Sequence, residues 1–180
     1  HELKEIYMGE NEAREMIRMS KVPRRMEIML HALDLEKYLV NDGQISDKFQ
    51  FFMDFNYTPV NEGNTIKVGE YIFTAVETPG HTPGHMCLYE ENHKLMFTGD
   101  HVLGRISPNI AFWGYEYGAI LGTFFESLLK VRTFNVELPL GAHREFSGPL
   151  NERIDELLLH HGNRLSEIKT LLSEEWQSVS

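Results

Sequence analysis

Three features of this chain predict an α/β, or α+β layered, domain. Short β-type runs separated by turn residues extend from Thr65 to Thr98. Helical periodicity takes over at Ala119–Val131 and returns from about Leu150 to Leu172. With 180 residues and 42% hydrophobic composition, the chain is one domain long and can bury a core.

In order along the chain, Leu3 to Met8 reads as a buried, parallel-type strand ended by Gly9, and Glu10 to Met19 as a short helix. Pro23 suits a helix first turn. Met26, Met29, Leu30 and Leu33 then repeat at helical spacing, with Gly43 as a stop. Phe49 to Phe55 fits either period, so the segment from 20 to 55 reads as a mainly helical insertion. Strands follow at Thr65–Val68, Tyr71–Glu77, Met86–Glu90 and Lys94–Thr98. Gly69-Glu70 and Glu91-Asn92-His93 turn the chain between them. A Gly- and aromatic-rich loop runs from Val102 to Tyr117. The next helix, Ala119–Val131, is expected to bury Leu121, Phe124, Phe125, Leu128 and Leu129. A strand at Asn135–Leu140 and a strongly amphipathic helix from about Leu150 to Leu172 complete the pattern.

Composition excludes several classes. A formal net charge of -10 disfavours nucleic acid as a partner, and the short cluster Lys21, Arg24, Arg25 reads as a solvated helix start. No apolar run reaches the roughly 20 residues of a membrane span, and no signal-peptide pattern opens the chain. A single cysteine, Cys87, rules out an internal disulfide framework. These features lead us to expect a cytoplasmic protein with a small-molecule substrate.

Three segments carry candidate chemistry. Thr78-Pro79-Gly80-His81-Thr82-Pro83-Gly84-His85 follows a strand, Thr98-Gly99-Asp100 ends another, and Leu140-Gly141-Ala142-His143 ends a third. Strand ends deliver side chains to the loops where sites are assembled. Imidazole and carboxylate are both zinc ligands, at about 2.0–2.2 Å, and a carboxylate can bridge two ions about 3.5–4 Å apart. The bland alternatives are a hydrogen-bonding loop histidine and an aspartate that forms a turn. The paired Pro-Gly steps weigh against them in the first segment. Pro83 and Gly84 preclude a helix between His81 and His85, so one reads as a ligand and the other as its hydrogen-bonding support.

Taken together, Thr78 to His85, Phe97-Thr98-Gly99-Asp100 and the strand ending in His143 resemble the metallo-β-lactamase fold superfamily of hydrolases, in particular its glyoxalase II-like branch. Gly99 to Leu103, Ile106 to Ile110, Arg153 to Leu157 and His160-His161 look like a bacterial subgroup with a helical insertion before the first histidine motif. The resemblance implies an αββα sandwich in which His81 is a ligand of a first metal, Asp100 a bridging and catalytic carboxylate, His143 a ligand of a second metal, and His85 a supporting residue. It implies zinc, two ions in the intact protein, with iron or manganese as alternatives. Gly-Ala-His replaces the family's usual Pro-Gly-His at His143. The family's His-x-His-x-Asp-His motif is not in this sequence. The expectation is therefore a single, incomplete domain over 1–180 that carries part of the site and has little activity alone. A sheet edge left exposed would favour a homo-oligomer.

Arg105, Trp113 and Tyr115, with Tyr117, lie in the loop after Asp100 and read as substrate-binding, or as packing residues of a long connection. Cys87 reads as a buried small residue, and His160 and His161 as structural. His101 reads as a residue behind Asp100 or as exposed. The function expected is hydrolysis of a small ester, thioester or lactone through a metal-bound hydroxide. The alternatives are a single-iron persulfide-type dioxygenase on the same fold, or a non-catalytic relic or binding module. A nucleic-acid hydrolase is disfavoured by the acidic charge.

Overall fold

The computed structural model describes residues 7–14 and 57–172 of the chain. The proposed insertion at 20–55 lies outside the described residues. Strands β1 (Tyr7–Gly9) and β2 (Thr58–Val60) pair in parallel as a small two-stranded sheet. Residues 10–14 are helical and follow β1 directly. Strands β3 (Thr65–Val68), β4 (Tyr71–Glu77), β5 (Met86–Glu90) and β6 (Leu95–Gly99) form an antiparallel meander. Helix α1 (Ile120–Val131) then crosses over to β7 (Leu138–Gly141), which joins the same sheet parallel to β6. Helix α2 (Leu150–Leu171) closes the described part of the chain.

Period-two alternation decides which residues enter which core. On β4, Val76 faces the helices while Ala75 faces the other way. Val76, Cys87 and Met96 meet Phe124, Leu128 and Val131 of α1 and Leu150, Ile154 and Leu157 of α2. Burying each large apolar side chain stabilises the fold by about 1.5–3 kcal/mol. Arg132 and Asp155 also join the helices through two bonds of 2.9 and 3.0 Å. That pair is exposed, and such pairs contribute about 0–1 kcal/mol, so the shared core holds the helices together. On the opposite face Val60, Ile66 and Ala75 form a smaller cluster with Met86 and Leu88.

The β5–β6 turn is held by a buried carboxylate. Glu90 accepts the backbone N–H groups of Asn92 and His93 at 3.3 and 2.7 Å and the His93 ring N–H at 2.8 Å. Burial alone would raise this carboxyl, but the bonds from His93 and Asn92 outweigh it and hold it below the ordinary value.

Several boundaries differ from expectation. Gly9 is inside β1, paired with Val60, and β2 itself was not expected. Strand β6 is Leu95–Gly99, one residue later than its alternation suggests. Strand β7 starts at Leu138 rather than Asn135, because the N–H groups of Glu137 and Leu138 both bond the Lys94 carbonyl, at 2.8 and 3.1 Å, before the ladder begins. Leu129 is 54% exposed, correcting its place in the core. The buried stripe of α1 is Phe124, Ser127, Leu128 and Val131, and Leu129 turns about 100° away from Leu128. On α2 only Leu150, Ile154 and Leu157 are buried, so its apolar face is covered over the first turns and Leu165, Ile168 and Leu171 are exposed.

Among the described residues no helix is long and apolar enough to cross a membrane.

Candidate metal centre

The loop after β4 closes on itself. The Thr78 N–H bonds the His85 carbonyl at 2.8 Å, and the Gly80 N–H bonds the Thr82 carbonyl at 3.0 Å. Its far side packs on residues 10–14. The Thr82 hydroxyl donates to Glu12 Oε2 at 2.8 Å, and a Cβ on Gly84 would lie 2.2 Å from the Glu12 backbone nitrogen. Glycine at 84 is thus required for close approach of two backbones.

His81 is held at two points. Its Nδ1 lies 2.8 Å from the Asn109 carbonyl, which can only accept, so Nδ1 carries the proton. The Trp113 indole N–H donates to the His81 carbonyl at 3.0 Å. In the neutral ring the other nitrogen, Nε2, carries the lone pair, and it faces Asp100 Oδ2 at 4.0 Å.

His85 has the same proton placement for a different end. The Asp100 backbone N–H donates to His85 Nε2 at 3.1 Å, so that nitrogen is already engaged. Its Nδ1–H donates to the Thr78 hydroxyl at 2.8 Å. Burial first, then the neighbouring His101 and His81, pulls the His85 imidazole down to about 3 from 6.5, against an opposing pull from Asp100. Thr78 in turn lies 3.4 Å from Cys87 Sγ, whose thiol is pushed up to about 12 chiefly by burial. Cys87 is inert packing, as expected.

Asp100 is aimed by an irregularity in the sheet. The β6–β7 register shifts between Phe97 and Gly99, leaving Thr98 as the extra residue. The Thr98 hydroxyl donates to the Val102 carbonyl at 2.7 Å, with the Leu140 carbonyl at 3.3 Å, and the Ala142 N–H bonds the Gly99 carbonyl at 3.0 Å. From α2, Arg153 Nε donates to the Leu103 carbonyl at 2.8 Å. A Cβ on Gly104 would lie 2.2 Å from the Glu145 carbonyl oxygen, so the turn after Asp100 abuts the segment that carries His143. His143 Nε2 then faces Asp100 Oδ1 at 3.4 Å.

Both oxygens of Asp100 thus address an imidazole, one each. These residues fit a metal in kind. A lone pair fixed toward a carboxylate is repulsive until a cation stands between them. Two donors about 2.1 Å from one ion at a tetrahedral angle lie roughly 3.4 Å apart. The His143 pair matches that spacing, and the His81 pair, at 4.0 Å, needs only a small closure. In number the set is short: among the described residues, no group of three or more His, Cys, Asp or Glu closes into a ligand cage.

The remaining residues fall at different distances from this centre. His101 is fully buried, against Phe124 at 5.2 Å and His85 at 5.9 Å between ring centroids. Neither of its ring nitrogens reaches a hydrogen-bond partner among the described residues. Burial pulls its imidazole down to about 4, against an opposing pull from a Ser127 backbone group. Tyr115 is 92% exposed and its ring packs on Phe112 at 5.1 Å. Arg105 is also exposed. His161 packs on Phe124 and Phe125, each at 5.8 Å. The Asn109 carbonyl was invisible to sequence reasoning because a backbone acceptor leaves no residue signature. Ser127 was findable: a hydroxyl in register with Phe124, Leu128 and Val131 asks for a buried partner.

Two buried neutral histidines make the metal-free protein acid-sensitive. In the unfolded chain His85 and His101 take up protons near 6.5, whereas in the fold they resist to about 3 and 4. Stability is full above pH 6.5 and falls as pH drops through that window. Urea midpoints measured from pH 8 to 5 should fall steadily below 6.5. A midpoint flat from pH 7 to 5 would contradict this.

The family model described as Metallo-beta-lactamase superfamily matches residues 4–163. The lactamase-like protein nscB of Neosartorya fischeri is 31% identical over 126 residues, covering 70% of this chain and 36% of that protein. The lactamase-like protein aptB of Emericella nidulans is 29% identical over 121 residues, covering 67% of this chain and 37% of that protein. The matches thus span little more than a third of these curated relatives. A metallo-beta-lactamase family protein from Thermus thermophilus superposes with a TM-score of 0.73 at 23% identity, over 94% of this chain and 56% of that one. A beta-lactamase domain protein from Burkholderia ambifaria superposes with a TM-score of 0.72 at 24% identity, over 95% and 49% respectively. Both superpositions show a shared fold.

Proposed function

The chain belongs to the metallo-beta-lactamase superfamily, which includes hydrolases and generally binds metal ions, and from that premise we propose that it carries part of the centre of a zinc-dependent hydrolase of a small ester, thioester or lactone. The observation behind this reading is the contact of His81 Nδ1 with the Asn109 carbonyl, which in the neutral ring leaves the Nε2 lone pair facing a carboxylate. His81 Nε2 and Asp100 Oδ2 would hold one ion, and Asp100 Oδ1 and His143 Nε2 a second. Two imidazoles to one carboxylate suit zinc or iron better than magnesium or calcium.

Divalent ions held there would supply Lewis acidity, suited to activating water and polarising a carbonyl. The chain's own residues supply position. His85 stays neutral and holds the Asp100 backbone. The Asn109 carbonyl keeps the His81 proton away from the ligand side. Arg105 and Tyr115, both exposed in the loop after Asp100, offer a cation and a ring to a substrate acid or acyl group. Trp113 braces that loop on the His81 backbone.

The full gene product, purified with and without the substitution His81→Ala, tests this reading. Elemental analysis should show zinc in the parent and at least one ion fewer in the variant, with thioester or lactone hydrolysis lost. Equal metal content in the two proteins would overturn the assignment. Iron on purification with oxygen uptake on a persulfide would replace the hydrolase by an oxygenase.

A further inference from the structure

Helix α1 runs alongside the loop that carries His81 and touches its backbone at three successive points. Lys130 Nζ donates to the Glu77 carbonyl at 3.0 Å. The Ser127 hydroxyl donates to the Pro79 carbonyl at 2.8 Å. Phe124 lies directly under Gly80, where an added Cβ would come within 2.7 Å of Phe124 Cδ2 and 2.9 Å of its Cβ. Residues 124, 127 and 130 are three apart and share a helix face. Each contacts backbone, so the helix reads the path of the loop and not its side chains.

Ser127 is the anomaly among them. Serine in a helix interior has lower propensity than alanine, and its hydroxyl competes for backbone partners. This one is buried within an otherwise apolar stripe, where an unbonded hydroxyl costs free energy. Its bond to the Pro79 carbonyl fixes the orientation of the peptide that leads into Gly80. Glycine there has no side chain to limit its backbone, so release at Pro79 would loosen the backbone that leads into His81. On the other side His81 is held through its ring and carbonyl by Asn109 and Trp113.

We propose that Ser127 is a positioning residue for His81: the hydroxyl clamps the Pro79 carbonyl so that the His81 lone pair meets Asp100 without reorganisation. This rests on the reading of His81 as a metal ligand. Ligand-orienting partners of this kind typically contribute about 10- to 100-fold in metal affinity.

The test compares the full gene product with S127A, S127T and His81→Ala. Zinc affinity is measured by competition with a chromophoric chelator. Urea midpoint and amide hydrogen exchange at Gly80 and His81 are measured without metal. S127A should lose about 10-fold in zinc affinity and exchange faster at those amides, and S127T, which keeps the hydroxyl, should restore both. A lowered midpoint with parental zinc affinity would reduce Ser127 to a packing role and overturn the proposal. If His81→Ala binds zinc like the parent, the ligand reading itself fails, whereas faster exchange in S127A alone would still show the clamp. Should S127A not fold, Lys130→Met removes the neighbouring contact at the Glu77 carbonyl together with the ion pair to Glu62. It should weaken zinc in the same direction, and no change would count against the clamp.

Discussion

Asp100→Asn should cost at least about 100-fold in zinc affinity, more than an orienting partner is worth, while leaving the metal-free protein as stable as the parent or more so. The two effects have one origin. Each Asp100 oxygen faces an imidazole, at 4.0 Å from His81 and 3.4 Å from His143. In the neutral ring the carboxylate pushes against the His81 lone pair, because the one His81 proton is committed to Asn109 on the other side of the ring. An asparagine of the same shape replaces one oxygen with an amide group that donates to that lone pair. It removes the repulsion and the anion together. Chelator competition and a urea titration of the metal-free variant read the two quantities separately. A D100N protein that keeps its zinc would remove the carboxylate from the metal centre. One that loses zinc and stability in parallel would make Asp100 a structural residue.

Gly99→Ala is expected to damage the fold and the site together. Gly99 has φ of 52°, and an added Cβ would lie 2.6 Å from His85 Nε2. The left-handed backbone costs a residue with a Cβ about 1–2 kcal/mol. Crowding a packed interior adds about 1–3 kcal/mol. His85 has little room to retreat, because it is tied to the Thr78 hydroxyl and the Asp100 N–H. Moving it breaks the bond that holds the Asp100 backbone. A total loss of about 2–5 kcal/mol should appear in chemical unfolding, with a further loss of zinc affinity in the fraction still folded. Unfolding parameters within about 1 kcal/mol of the parent would mean that the loop yields more easily than its contacts imply.

Much of this fold is legible in the sequence, and the exceptions have identifiable causes. Strands β3, β4 and β5 begin and end where alternation and the turns at Gly69-Glu70 and Glu91-Asn92-His93 predict. Strand β2 escapes because three residues, one of them Pro59, are too few to show a period. Leu129 misleads because hydrophobicity alone does not tell which side of a helix the core is on, whereas the position of Phe124 under Gly80 does. The convergence of His81, Asp100 and His143 is foreshadowed by their places at three strand ends. Their proton placements depend on a carbonyl at Asn109 and an amide at Asp100, and backbone groups carry no residue label. His101 illustrates the same limit. Its neighbour Asp100 is partly exposed while it is wholly enclosed, a difference set by Phe124 from the helix that follows the long loop.

The segment between Arg105 and Tyr117 hangs from His81 at two anchors, the Asn109 carbonyl and the Trp113 indole. Any attempt to retune selectivity by grafting a different stretch there will therefore detune the histidine as well, unless both anchors are kept in register. Conversely, Phe112 and Tyr115 stand free of those anchors, and they are where variation can be introduced without disturbing the centre.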